Sequence, residues 1–158
     1  MNKESRHEKW RRLATNRMNR IFKNMNLIRN CSDVNYYAYS AQDVEEIFQA
    51  YENKGKEIRA YFDSPITLKL SLDTSFSFLN ENENNDLAED KHSKFKRVIE
   101  KRLTRVWKDL NLIANLSNRN NYTFTKQEVD ELFQAYEDKG REIRAYFEPL
   151  KEEFTFSK

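Results

Sequence analysis

FQAYENKGKEIRAYF (48–62) returns as FQAYEDKGREIRAYF (133–147), and these copies hold the only two glycines of a 158-residue chain. Sliding the sequence against itself by 85 residues aligns 6–63 with 91–148 without a gap, and 29 of the 58 pairs are identical. HEKWRR answers HSKFKR, and NLIRNCSDVNYYAYS answers NLIANLSNRNNYTFT. A match this long means one structural unit present twice, short of the three or more copies that make a solenoid.

Each copy reads helix–loop–helix. Trp10, Leu13, Ala14, Met18, Ile21, Phe22, Met25 and Ile28 recur at three- and four-residue steps, and Phe95, Val98, Ile99, Leu103, Val106, Trp107, Leu110 and Ile113 repeat the stripe. That spacing predicts amphipathic helices. The loop is rich in asparagine and serine, whose side chains hydrogen-bond local backbone. The second helix opens on Ser40-Ala-Gln-Asp43 or Thr125-Lys-Gln-Glu128, a hydroxyl three residues before a carboxylate. That is a capping box, and Tyr39 with Val44, or Phe124 with Val129, supplies a hydrophobic staple. Pro65 and Pro149 mark the stops.

Between the copies the period changes. Ile66, Leu68, Leu70 and Leu72 alternate, and so do Phe76 and Phe78, so 66–79 reads as a β-hairpin. Phe154-Thr155-Phe156 offers a further strand. The organisation expected is a first repeat (1–63), a β-hairpin with an acidic linker (64–90), a second repeat (91–148) and a C-terminal tail (149–158). The fold class is mainly α: two tandem αα-hairpins packed with pseudo-two-fold symmetry into a four-helix core, plus the small β-hairpin.

Gly55 and Gly140 share a helical face with Tyr51, Ile58 and Phe62, or with Tyr136, Ile143 and Phe147, so the periodicity passes through them. Glycine inside a helix costs about 1 kcal/mol relative to alanine, and a packing reason is expected. Each is read as a notch, for a facing arginine or for a close crossing of the other hairpin. Arg17 and Arg102 interrupt the apolar stripes and require carboxylate, carbonyl or tyrosine oxygens as partners.

The 28 basic and 26 acidic residues nearly cancel, so a nucleic-acid reading must rest on a local patch. The single cysteine, Cys31, is matched by Leu116 and reads as a small core residue. No run approaches the ~18 apolar residues of a membrane span, and the start lacks the apolar core of a secretory signal; the expected location is the cytoplasm. His7 and His92 are the only histidines, which leaves no zinc ligand set, and no glycine-rich phosphate loop is present. No metal, cofactor or catalytic residue is expected.

Lys9, Arg12, Arg20 and Lys23 lie along one flank of the first helix, and Lys94, Arg97, Arg105 and Lys108 reproduce all four. One reading is a pair of basic stripes tracking phosphates. The plainer one is a seam of ion pairs to Asp43, Glu46 and Glu57, or to Glu128, Glu131 and Glu142, within each hairpin.

The pattern NLIxNxSxxNxYx(Tyr/Phe)(Ser/Thr), carried by Asn30, Ser32, Asn35 and Tyr37 and by Asn115, Ser117, Asn120 and Tyr122, resembles short helical modules encoded on bacterial plasmids, phages and other mobile elements. Cys31 and Tyr36 depart from its usual Leu and Asn. The duplicated, asparagine-rich style also resembles anti-CRISPR proteins, which bind and inhibit a nuclease effector. The resemblance implies a non-catalytic, protein-binding inhibitor or regulator. Recognition would then fall where the repeats differ, at Asp33, Val34 and Tyr36 against Asn118, Arg119 and Asn121, or on the acidic tract Glu81, Glu83 and Asp86. The alternative is a nucleic-acid-binding accessory protein that uses the basic stripes.

Overall fold

The computed structural model describes residues 3–63, 72–79, 89–149 and 154–157. It is mainly helical: α1 (Arg6–Arg29), α2 (Ala41–Asp63), α3 (Lys91–Ala114) and α4 (Lys126–Arg144), with short 3₁₀ turns at Asn30–Ser32, Asn115–Ser117 and Ala145–Phe147. Ser5 and Asp90 cap α1 and α3, accepting from the backbone N–H of Glu8 and Ser93. Both capping boxes form. Ser40 Oγ accepts from Asp43 N at 3.0 Å while Asp43 Oδ2 accepts from Ser40 N at 2.9 Å. Thr125 and Glu128 exchange the same two bonds.

The core is built between the repeats rather than within them. α1 packs on α3 and α4, and α2 packs on α4 and α3, whereas the two helices of one repeat hardly approach each other. The αα-hairpin is therefore not the packing unit that the sequence suggests. α1 runs antiparallel to α3: Arg17 meets Leu112, Arg20 meets Asp109, and Leu27 meets Arg102. α2 and α4 are likewise antiparallel, tied by Arg59–Asp130 and Arg144–Glu45. Ile21, Met25, Ile58, Ile99, Leu103 and Tyr136 are among the fully buried side chains at the centre.

Where α2 crosses α4, Tyr51 and Tyr136 stack with centroids 4.0 Å apart. Each phenol donates to the other tyrosine's backbone carbonyl at 2.6 Å. Burial pushes both phenols well above their ordinary pKa, so they stay protonated as donors. A Cβ on Gly55 would stand 2.9 Å from Tyr136 Cδ2, and a Cβ on Gly140 would stand 2.9 Å from Tyr51 Cδ1. The notch therefore serves the close crossing. The arginines have other partners: Arg17 Nη1 donates to Leu112 O at 2.8 Å and Arg102 Nη1 to Leu27 O at 2.6 Å. Each guanidinium thus satisfies a carbonyl in the last turn of the antiparallel helix, where a cation is favoured.

The inter-repeat segment departs from the β-hairpin expectation. Residues 72–79 form no strand, and 66–71 lie outside the described residues. Phe76 and Phe78 are buried, as their alternation requires. Their N–H groups donate to Thr104 Oγ1 and Glu100 Oε2 of α3 instead of to a neighbouring strand. Asp73 O accepts from Lys54 Nζ and Asn111 Nδ2, and Leu79 N donates to Glu46. Residues 72–79 are an extended strap laid in the α2–α3 groove. Residues 154–157 also form no strand, and Phe154 and Phe156 are exposed. Among the described residues no helix is long and apolar enough to cross a membrane.

Candidate nucleic-acid interface

The antiparallel packing of α1 on α3 decides where the basic stripes go. In each helix the stripe flanks the face that meets the other, so the two stripes line one outer seam. Arg20 reaches across it to Asp109 at 2.9 Å. The same register sets Lys23 opposite Val106 and Lys108 opposite Ile21. Arg20, Lys23, Arg105 and Lys108 consequently gather at the middle of the seam. Lys9 and Arg12 extend toward one end, Lys94 and Arg97 toward the other. At 1.5 Å per helical residue the whole line spans roughly 40 Å.

Among the described residues the stripes make no seam of ion pairs within each repeat. Asp43 is taken by Ser40 and His92, Glu128 by Thr125, His7 and Arg11, and Glu46 by Leu79 N. Glu57 and Glu142 pair with Lys54 and Lys139 of their own helices. Arg12 and Arg97 instead make two-pronged contacts to Glu4 and Glu89 just ahead of their helices. These exposed pairs raise the arginine pKa and hold the carboxyls below their ordinary range. Lys23, Arg105 and Lys108 have no acidic partner among the described residues. Arg105 lacks one because Asn24 stands where the other repeat has Asp109.

Lys101, exposed between Arg97 and Arg105, belongs to the same face. Its counterpart is Asn16, so a search for cations present in both copies passes it over. α1 carries eight Lys and Arg against one acidic residue, and α3 eight against two. α2 has three basic and six acidic residues, and α4 four and six. A net charge of +2 thus conceals a basic α1–α3 side and an acidic α2–α4 side.

The loops bracket the seam. Lys94 Nζ lies over the rings of Tyr37 (5.0 Å) and Tyr36 (6.0 Å) in the first loop. Lys9 Nζ lies over Tyr122 of the second at 5.9 Å. Asp33 and Asn118, expected at a partner surface, are turn formers: their Oδ1 atoms accept from Asn35 N and Asn120 N, both at 2.9 Å. Arg119 stacks on Phe124 at 4.3 Å. Val34 and Tyr36 remain 69% and 62% exposed, and Asn121 is exposed as well. Glu81, Glu83 and Asp86 lie outside the described residues.

Cys31 is buried, with Arg102 Nη1 3.2 Å from its sulfur, and burial pushes its thiol pKa up. Among the described residues no cluster of three or more His, Cys, Asp or Glu is placed to hold a metal ion. Neither a protein-family model, nor a curated protein, nor a solved structure matches this chain.

Proposed function

We propose that the protein binds nucleic acid along the α1–α3 face, without catalysis, as an accessory or regulatory factor. The observation that carries this reading is the meeting of both basic stripes on one seam, with Lys23, Arg105 and Lys108 free of acidic neighbours among the described residues. Phosphates would replace the weak exposed pairs of Arg12 and Arg97, because such pairs contribute little in water. Tyr36 at one end offers a ring for base stacking. A 40 Å line of cations corresponds to about one turn of duplex.

The duplication acquires a purpose in this reading. Reciprocal contacts such as Tyr51–Tyr136, His7–Glu128 with His92–Asp43, and Arg17–Leu112 with Arg102–Leu27 support an approximate two-fold relation between the repeats. That relation turns one four-cation stripe into a continuous face.

A second reading, inhibition of a protein partner, is favoured by Val34 and Tyr36, exposed apolar groups where the second loop has Arg119 and Asn121. A nuclease or nucleoprotein partner would engage both features.

Mobility shift across salt concentrations tests the proposal, with the exposed triple variant K23Q/R105Q/K108Q as comparison. Micromolar, salt-sensitive binding is expected, with the log–log salt slope shallower by about 3 in the variant. Absence of binding at low salt, or a slope the variant leaves unchanged, would sink it. Capture of a protein partner that depends on Val34 and Tyr36 but not on the three cations would favour the second reading.

A further inference from the structure

Among the described residues, the strap that fills the α2–α3 groove has no counterpart in the α1–α4 groove, although the second groove repeats the first. Trp107, buried under Phe76 with ring centroids 5.9 Å apart, answers to Phe22, which is only half-buried. Thr104, Asn111 and Glu46, which bond the strap's backbone, are half-buried; their counterparts Asn19, Asn26 and Glu131 are exposed. Lys54, which donates to Asp73 O, answers to Lys139, whose Nζ lies 5.1 Å from the Phe22 ring centroid. The second groove therefore presents an apolar floor with amide and carboxylate acceptors and amide and ammonium donors at the same register.

One segment of this chain has the matching chemistry. Phe154-Thr155-Phe156 repeats Phe76-Ser77-Phe78: two phenylalanines around a hydroxyl residue. The two pairs also share a local geometry, edge to face at 4.9 Å and 76° for Phe154–Phe156 and at 5.1 Å and 72° for Phe76–Phe78. Phe76 and Phe78 are 7% and 6% exposed, whereas Phe154 and Phe156 are 77% and 87% exposed. Two neighbouring phenylalanines in water lack the burial that drives apolar groups together.

We infer that the α1–α4 groove is a binding site for an extended Phe-x-Phe segment, and that its occupant is the chain's own tail at Phe154–Phe156. The reach is sufficient. The strap runs against α2 with Asp73 beside Lys54 and Leu79 beside Glu46, which puts Phe76 near Ala50. The equivalent level on α4 is Ala135, twelve helical positions back from Phe147, or roughly 18 Å. The seven residues from Phe147 to Phe154 span up to ~23–25 Å when extended.

The test uses the full-length chain carrying F154S/F156S, titrated with a fluorescein-labelled peptide of residues 149–158 and followed by anisotropy. Saturable binding to this variant is expected, at least tenfold weaker to the wild-type chain, whose own tail competes. A peptide carrying the same two serines should not bind, and adding F22S to the variant should abolish binding with helical circular dichroism retained. The peptide control keeps the test decisive if Phe22→Ser unfolds the chain. Equal affinity for wild type and variant, no binding to either, or equal binding of the serine peptide would overturn the inference. So would a wild-type dimer in sedimentation that F154S/F156S converts to monomer, because the tail would then occupy a second copy.

Discussion

At the scale of single residues, the two glycines mark the tightest point of the fold. Their helical faces are legible in the sequence, and so is the expectation of a notch. What occupies the notch was not legible, because periodicity fixes the side a residue faces but not which helix lies there. The pattern leaves open a facing arginine or a close crossing of the other hairpin, and the α2–α4 packing selects the crossing, with Tyr136 against Gly55. Gly55→Ala and Gly140→Ala each push a methyl into a ring held by stacking and by its own O–H bond. Overpacking of this kind costs about 1–3 kcal/mol. A ring this close and pinned by its own hydrogen bond puts the cost in the upper part, about 2–3 kcal/mol, offset by about 1 kcal/mol of helix propensity. Each variant should lose about 1–2 kcal/mol of stability, a Tm drop of roughly 2–8 °C. Thermal melts decide it: unchanged midpoints in both variants would mean that the tyrosine pair yields freely and the notch has no packing role.

At the scale of elements, the capping boxes illustrate how a local motif acquires a long-range task. The start of α4 was readable from Thr125 and Glu128 alone, yet nothing local says that Glu128 also holds α1. In the fold it accepts from His7 at 2.8 Å and from Arg11 at 2.5 Å. Burial works against its charged form, but Arg11, His7 and Thr125 outweigh it and lower the carboxyl pKa from 4.5 to about 2. A depressed folded-state pKa contributes stability that is full above the unfolded value and lost as pH falls through the folded one. The contribution of Glu128 is thus present at neutral pH and declines between pH 4.5 and about 2. Glu128→Gln should lower stability to denaturant at pH 7, with the gap to wild type closing as pH falls through that window. A gap equally wide at pH 7 and at acid pH would show that the carboxylate's charge is not what it contributes. The strap teaches the complementary lesson. Alternation at Phe76 and Phe78 correctly marked extended chain with one buried face, but period two cannot distinguish a strand from a single peptide bonded to helix side chains.

At the scale of the whole molecule, duplication itself hid the packing. Two copies with the same apolar faces can close on themselves or on each other, and the sequence is identical in either case, as in domain-swapped dimers. The capped helices, the core positions and the basic stripes were all legible; the choice between self and cross packing was not, and it decides whether the stripes meet. In the interleaved arrangement each repeat buries its apolar face mainly against the other. An isolated repeat leaves Ile21, Met25 and Ile58 in water, or Ile99, Leu103 and Tyr136, and lacks the core that makes marginal helices stable. A protease site engineered within residues 80–88 separates the predictions. After cleavage the halves should co-migrate as one helical species, separate only under denaturant, and regain helix together on mixing. Each half alone should show little helix at micromolar concentration. A cleaved chain that falls into two folded, monomeric halves would overturn the cross-packed core. The single α1–α3 face, and with it the proposed nucleic-acid surface, would fall too, because both stripes meet only if each repeat is completed by the other.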